Sequence, residues 1–116
     1  MYSEANVTLM VQDLDRSIQF YVDTVGFQME AQYGPYWAQV TGPGIRIGLH
    51  PGGDSSSAKS DTVSLGLMVN DFQLAVDGLR SKGVEFDRIT EEERASSAYF
   101  VDPDGYWLYV MHRQDM

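Results

Sequence analysis

The sequence predicts an α+β fold built from two tandem βαβββ modules. Three observations carry that prediction. Val7–Phe27, VTLMVQDLDRSIQFYVDTVGF, reads as a strand, a capping aspartate, an amphipathic helix and a terminating glycine. Ser64–Val84, SLGLMVNDFQLAVDGLRSKGV, repeats that order. Each unit is then followed by further strand-like segments separated by glycine, proline or charged turns. A supersecondary unit written twice implies two copies of one module, with function expected where the copies face each other.

The elements follow in order. Val7, Leu9 and Val11 alternate with Asn6, Thr8 and Met10, so one face of the first strand is aliphatic. Asp13 stands where the period changes and can cap a helix running to about Val25, with Gly26 as its C-cap. Phe27–Tyr33, Tyr36–Thr41 and Ile45–His50 read as strands, joined by Gly34-Pro35 and by Gly42-Pro43-Gly44. Parity in the third strand leaves the face of Trp37 open. Pro51–Asp61, PGGDSSSAKSD, has no periodicity and reads as a flexible linker. Module one is therefore placed at 1–50, the linker at 51–61 and module two at 62–116.

In module two, Thr62–Val69 is expected as a strand and Asn70-Asp71 as a helix start. Phe72, Ala75, Val76 and Leu79 face inward on that helix, and Gly83 ends it. Val84–Thr90, Ser96–Val101 and Tyr106–His112 complete the set, with Glu91–Arg94 as a solvated hairpin tip and Asp102–Gly105 as a turn. At an offset of 58, Leu9, Met10, Val11 and Asp13 match Leu67, Met68, Val69 and Asp71. Small slips at glycines then match Gly26 to Gly83, Ile47 to Leu108, Gly48 to Tyr109 and Leu49 to Val110.

Composition sets limits. The 116-residue chain has no cysteine, which removes disulfides and thiolate metal sites. No apolar run is long enough to span a bilayer, and MYSEANVTLM lacks a leader pattern, so the expected location is cytoplasmic. Seventeen acidic against eight basic residues give a net charge of −9, which disfavours nucleic acid and anionic membrane and favours cationic small molecules or basic partners.

VTLMVQDLDRSIQFYVDTVGF and FVDPDGYWLYV resemble signature segments of the vicinal oxygen chelate superfamily, which includes glyoxalase I, bleomycin resistance proteins and extradiol dioxygenases. The resemblance implies a curved mixed sheet around a cleft, helices on the outer face, and a homodimer. Strand parity then assigns Asn6, Met10, Arg46, His50, Ser64, Met68, Trp107, Tyr109 and Met111 to a ligand-binding cleft, with Gly48 and Gly66 leaving room for a ring system.

Metal-using relatives carry histidine and carboxylate ligands at positions that fall here on Asn6, Gly48, Ser64 and Tyr109. None is a usual ligand for a divalent transition metal. No Ser-His-acid grouping, dinucleotide fingerprint or phosphate loop replaces the metal. His50 is read as a hydrogen-bonding cleft residue, a surface strand-end residue, or one ligand of a displaced metal site; His112 as facing away or fraying. The expected function is metal-free binding of a small aromatic or cationic compound, as in bleomycin resistance proteins. The alternative is a glyoxalase- or dioxygenase-like enzyme using a displaced divalent metal.

Overall fold

The computed structural model describes residues 1–52 and 63–114. The chain divides into two compact units, Met1–Ala58 and Lys59–Met116. Residues 53–61 of the expected linker lie outside the described residues.

The first unit contains β1 (Val7–Val11), α1 (Leu14–Gln19) with a π-helical continuation (Phe20–Val25), β2 (Gln28–Tyr33), β3 (Trp37–Gly42) and β4 (Ile45–Pro51). The second contains β5 (Ser64–Met68), α2 (Phe72–Ser81), β6 (Arg88–Glu91), β7 (Ala95–Val101) and β8 (Trp107–Arg113). The α+β fold of two tandem βαβββ modules is therefore present. The strands form two four-stranded sheets rather than one, ordered β1-β4-β3-β2 and β5-β8-β7-β6. In each, the first strand pairs in parallel with the last, and the remaining pairs are antiparallel. A parallel pair needs a crossover, and the helix with its two following strands provides it.

The register reproduces the repeat read from sequence. Val7 pairs with Ile47, Thr8 with Gly48 and Leu9 with Leu49. Leu65 pairs with Leu108, Gly66 with Tyr109 and Leu67 with Val110. Each helix packs on one face of its own sheet. In the first unit that face buries Leu9, Val11, Ala38, Val40, Ile47 and Leu49 together with Leu14, Ser17 and Tyr21 of the helix. In the second it buries Leu65, Ala98, Phe100, Leu108 and Val110 with Val76 and Leu79. Phe72 and Ala75 are half-buried.

Both helices start on an aspartate in extended conformation. The Asp13 carboxylate accepts from the Arg16 N–H at 3.1 Å, and that of Asp71 from the Leu74 N–H at 3.0 Å. Gly26 and Gly83 close the helical segments at φ of 96° and 94°, a left-handed conformation that a Cβ disfavours. The first helix widens into π geometry before Gly26, whose N–H donates to the Tyr21 carbonyl. The Tyr21 ring is fully buried there, edge-on to Phe20 at 5.1 Å and tilted against Phe27 at 6.3 Å.

Two segments depart from the sequence reading. Val84–Asp87 does not extend β6. The Val84 N–H instead closes the helix on the Leu79 carbonyl, and Phe86 turns in against Phe100 and beneath Arg80. The end of β8 is tied down rather than frayed. His112 Nδ1 donates to the Val69 carbonyl at 2.9 Å, and the Gln114 N–H donates to the Arg94 carbonyl at 3.0 Å. Among the described residues, no helix is long and apolar enough to cross a membrane.

The cap reading makes a stability prediction. Asp71→Ala should cost about 1 kcal/mol in urea unfolding, whereas Asp71→Asn, which keeps the acceptor, should cost only a few tenths of that.

Candidate functional site

Each sheet has a second face, opposite its helix, and the period of two sends the non-aliphatic residues there. In the first unit these are Asn6, Thr8 and Met10 on β1 and its approach, Arg46, Gly48 and His50 on β4, and Trp37, Gln39 and Thr41 on β3. At one end they form a polar chain. Asn6 Nδ2 donates to Gln39 Oε1 at 2.9 Å, and Gln39 Nε2 donates to Glu30 Oε1. Arg46 Nε reaches the same oxygen at 3.3 Å and lies 3.8 Å from Glu4 Oε2. Gln39 is buried at 3% exposure, yet both ends of its amide are bonded. A cavity of about 490 Å³ opens beside this chain, walled by Asn6, Glu30, Thr41 and Arg46.

The other end of that face is different. Met10 and His50 are cross-strand partners there. His50 is exposed, and its Nδ1 lies 2.9 Å from the Pro51 carbonyl. The Trp37 ring stacks on Tyr33 at 5.7 Å and lies over Gly48, where a Cβ would come within 3.1 Å of its Nε1. Trp37 therefore shares the face of Gly48 and His50.

In the second unit the face opposite the helix is aromatic. Ser64 pairs with Trp107, Gly66 with Tyr109 and Met68 with Met111. Tyr99 pairs with both Tyr109 and Arg88. Its ring lies 5.2 Å from that of Tyr109 and 6.5 Å, edge-on, from that of Trp107. The Arg88 guanidinium carbon sits 5.5 Å from the centre of the Tyr99 ring. A cavity of about 310 Å³ is walled by Val63, Ser64, Asp87, Arg88, Tyr99 and Trp107.

The two cavities occupy equivalent corners of the repeat. Asn6 corresponds to Ser64, Arg46 to Trp107, Gln39 to Tyr99, and Glu30 to Asp87. A carboxylate is kept in both corners, while the polar chain of the first is replaced by aromatic rings in the second.

The structure groups the sequence-expected residues by module. Asn6 and Arg46 meet through Gln39 and Glu30, and Ser64 and Trp107 share a cavity wall. Met10 with His50, and Met68 with Met111, lie at the opposite ends, four strand residues or about 13 Å away. The space at Gly48 and Gly66, expected to admit a ligand ring, is taken by the chain's own Trp37 and Tyr109. Sequence reasoning missed Gln39, Tyr99 and Arg88, although the contrast of Gln39 and Tyr99 with Ala38, Val40, Ala98 and Phe100 carried the signal. Glu30 was hidden by a bulge between Met29 and Ala31, which breaks the period.

The positions where relatives carry metal ligands hold one carboxamide, engaged with Gln39, one hydroxyl, one phenol and one glycine covered by Trp37. That donor set does not fit a divalent transition metal. Among the described residues, no three His, Asp or Glu side chains converge on one point.

A doubled βαβββ plan, each sheet carrying a helix on one face and its non-aliphatic residues on the other, defines a recognisable class of fold. Residues 5–110 match the Glyoxalase/Bleomycin resistance protein/Dioxygenase superfamily, and the chain belongs to it. It is 25% identical to TnmS3, an antibiotic binding protein from Streptomyces sp. CB03234, over 97% of this chain and 99% of that one, with a TM-score of 0.67. It shares its fold with an integron cassette protein from the mobile metagenome of the Halifax Harbour sewage outfall (24% identity, 92% and 95% coverage, TM-score 0.75). The fold is shared too with lactoylglutathione lyase from Agrobacterium tumefaciens (16% identity, 97% and 95% coverage, TM-score 0.72). Among curated proteins none matches.

The glycine contacts can be tested directly. A Cβ at position 66 would lie 2.5 Å from Tyr109 Cζ and 2.9 Å from its Cε2. Gly66→Ala should therefore push the half-exposed Tyr109 ring aside and destabilise the protein by up to about 1 kcal/mol. Most of that cost should vanish when the same change is made in a Tyr109→Ala background, as a double-mutant cycle by urea unfolding would show.

Proposed function

We propose that this protein binds a small aromatic compound without a metal and so sequesters it. The observation that carries this reading is the aromatic surface of Tyr99 and Trp107 at the wall of the second unit's cavity, with the Tyr109 ring packed against Tyr99. Flat rings supply contact area at low entropic cost, and one wall with a few placed polar groups gives orientation. The likeness to TnmS3, described as an antibiotic binding protein, supports sequestration. The donor chemistry at Asn6, Gly48, Ser64 and Tyr109 supports a metal-free site. The expectation of a cationic ligand rests on the net charge of −9, which acts on encounter rather than on the bound pose. The binding species is taken to be a homodimer, which size-exclusion chromatography with light scattering would test.

The second reading is an enzyme with a divalent ion at His50. Its support is the superfamily membership and the exposed imidazole, whose Nε2 has no partner among the described residues. Metal analysis of protein purified without chelator separates the two; a stoichiometric ion lost in His50→Ala would favour the enzyme.

Tryptophan fluorescence tests the first reading. Cationic and neutral aromatic antibiotics should quench at micromolar concentration. The response should survive Trp37→Phe and disappear in Trp107→Phe. Absence of quenching, with no gain of drug tolerance in host cells, would overturn it.

A further inference from the structure

The two corner cavities differ most in how they treat their arginine. In the first unit Arg46 faces two carboxylates, Glu30 at 3.3 Å and Glu4 at 3.8 Å, which offset its charge at the solvent-exposed surface. In the second unit the position corresponding to Ala31 is Arg88. Among the described residues Arg88 makes no ion pair, although the chain carries twice as many acidic as basic groups. Surface arginines without a carboxylate are ordinary, and Arg16, Arg80 and Arg94 are others here. Arg88 is set apart by its place: it stands over Tyr99 at the wall of a cavity that also holds Trp107 and the Ser64 hydroxyl.

That stacking matters chemically. A guanidinium rests on a ring through its flat face, and its N–H donors point outward in its own plane. Contact with Tyr99, 5.5 Å from the guanidinium carbon to the ring centre, holds the group beside the cavity through its charge and consumes none of its N–H donors. A planar oxyanion meeting that edge can take two parallel N–H···O bonds. Trp107 and Tyr99 border the same space; Tyr99 is engaged by Arg88 and Tyr109, which leaves Trp107 as the ring surface for whatever carries the oxyanion. Asp87 shares the wall and is not paired with Arg88, so it opposes an anion and keeps its affinity modest.

From this arrangement we infer that the second unit's cavity selects an aromatic compound bearing a carboxylate, with Arg88, held on Tyr99, as the anion-binding residue and Trp107 as the ring-binding surface. The inference rests on the aromatic-binding reading above and reverses the charge preference that the net charge alone suggests. The local cation decides the bound pose; the global field lowers only the rate of encounter.

Isothermal titration calorimetry with three probes of one shape tests it: 2-naphthoate, neutral 2-naphthamide and the 2-naphthylmethylammonium cation. The carboxylate should bind about tenfold more tightly than either of the others at low salt, and the margin should shrink as salt is added. Arg88→Gln should remove the margin and leave the amide unchanged. Arg94→Gln, which removes the same charge at the hairpin tip, should leave the margin intact. Asp87→Asn should widen it. If all three probes bind alike and Arg88→Gln changes none of them, the charge selectivity is overturned and aromatic binding stands. If none of the probes binds, both readings are overturned.

Discussion

Everything on the two candidate surfaces depends on the parallel pairing of the first and last strand of each module. β1 on β4 and β5 on β8 fix the register, and with a side-chain period of two a slip of one residue would exchange the faces. The aliphatic face is pinned by the helix above it. Leu9, Ile47 and Leu49 in one unit, and Leu65, Leu108 and Val110 in the other, leave no other register with a dry core. The opposite face is then specified without contributing to that core. Its polar chain, aromatic cluster and cavities follow from the same register.

The module plan, the helix caps and the central core were legible in the sequence because each has a local signal. Asp13 and Asp71 stand at a change of period, Gly26 and Gly83 at its end, and the repeat offset anticipates the observed strand partners. The site was legible only in part. Strands β1, β4, β5 and β8 alternate cleanly, so Asn6, Arg46, Ser64, Trp107 and Tyr109 could be assigned a face. Glu30 could not, because the bulge in β2 interrupts alternation. Arg88 could not, because Val84–Asp87 looks like strand but is spent on closing the helix and packing Phe86. Nothing in the chain's order says that Trp37 would lie over Gly48, since that contact crosses strands.

The corners show how a duplicated module diverges while its frame is kept. A carboxylate persists at Glu30 and Asp87, and the surrounding residues have changed character: Gln39 against Tyr99, Arg46 against Trp107. One corner satisfies its own polar groups internally. The other lines its space with aromatic side chains and a cation. Superfamily membership sets the frame, and these substitutions set what the frame can hold.

The glycines in mid-sheet carry a further consequence. In the first module the glycine is on the last strand, opposite Thr8, and the covering ring comes from β3. In the second it is on the first strand, opposite Tyr109, which supplies the ring itself. The copies have met one packing need from opposite sides of the ladder. Their strands are therefore no longer interchangeable parts. A hybrid joining β5 to β4 would set glycine against glycine, and one joining β1 to β8 would set the Thr8 side chain into the space of a tyrosine ring. At this position each first strand fits only the last strand of its own half, even though the backbone plan of the two halves is the same.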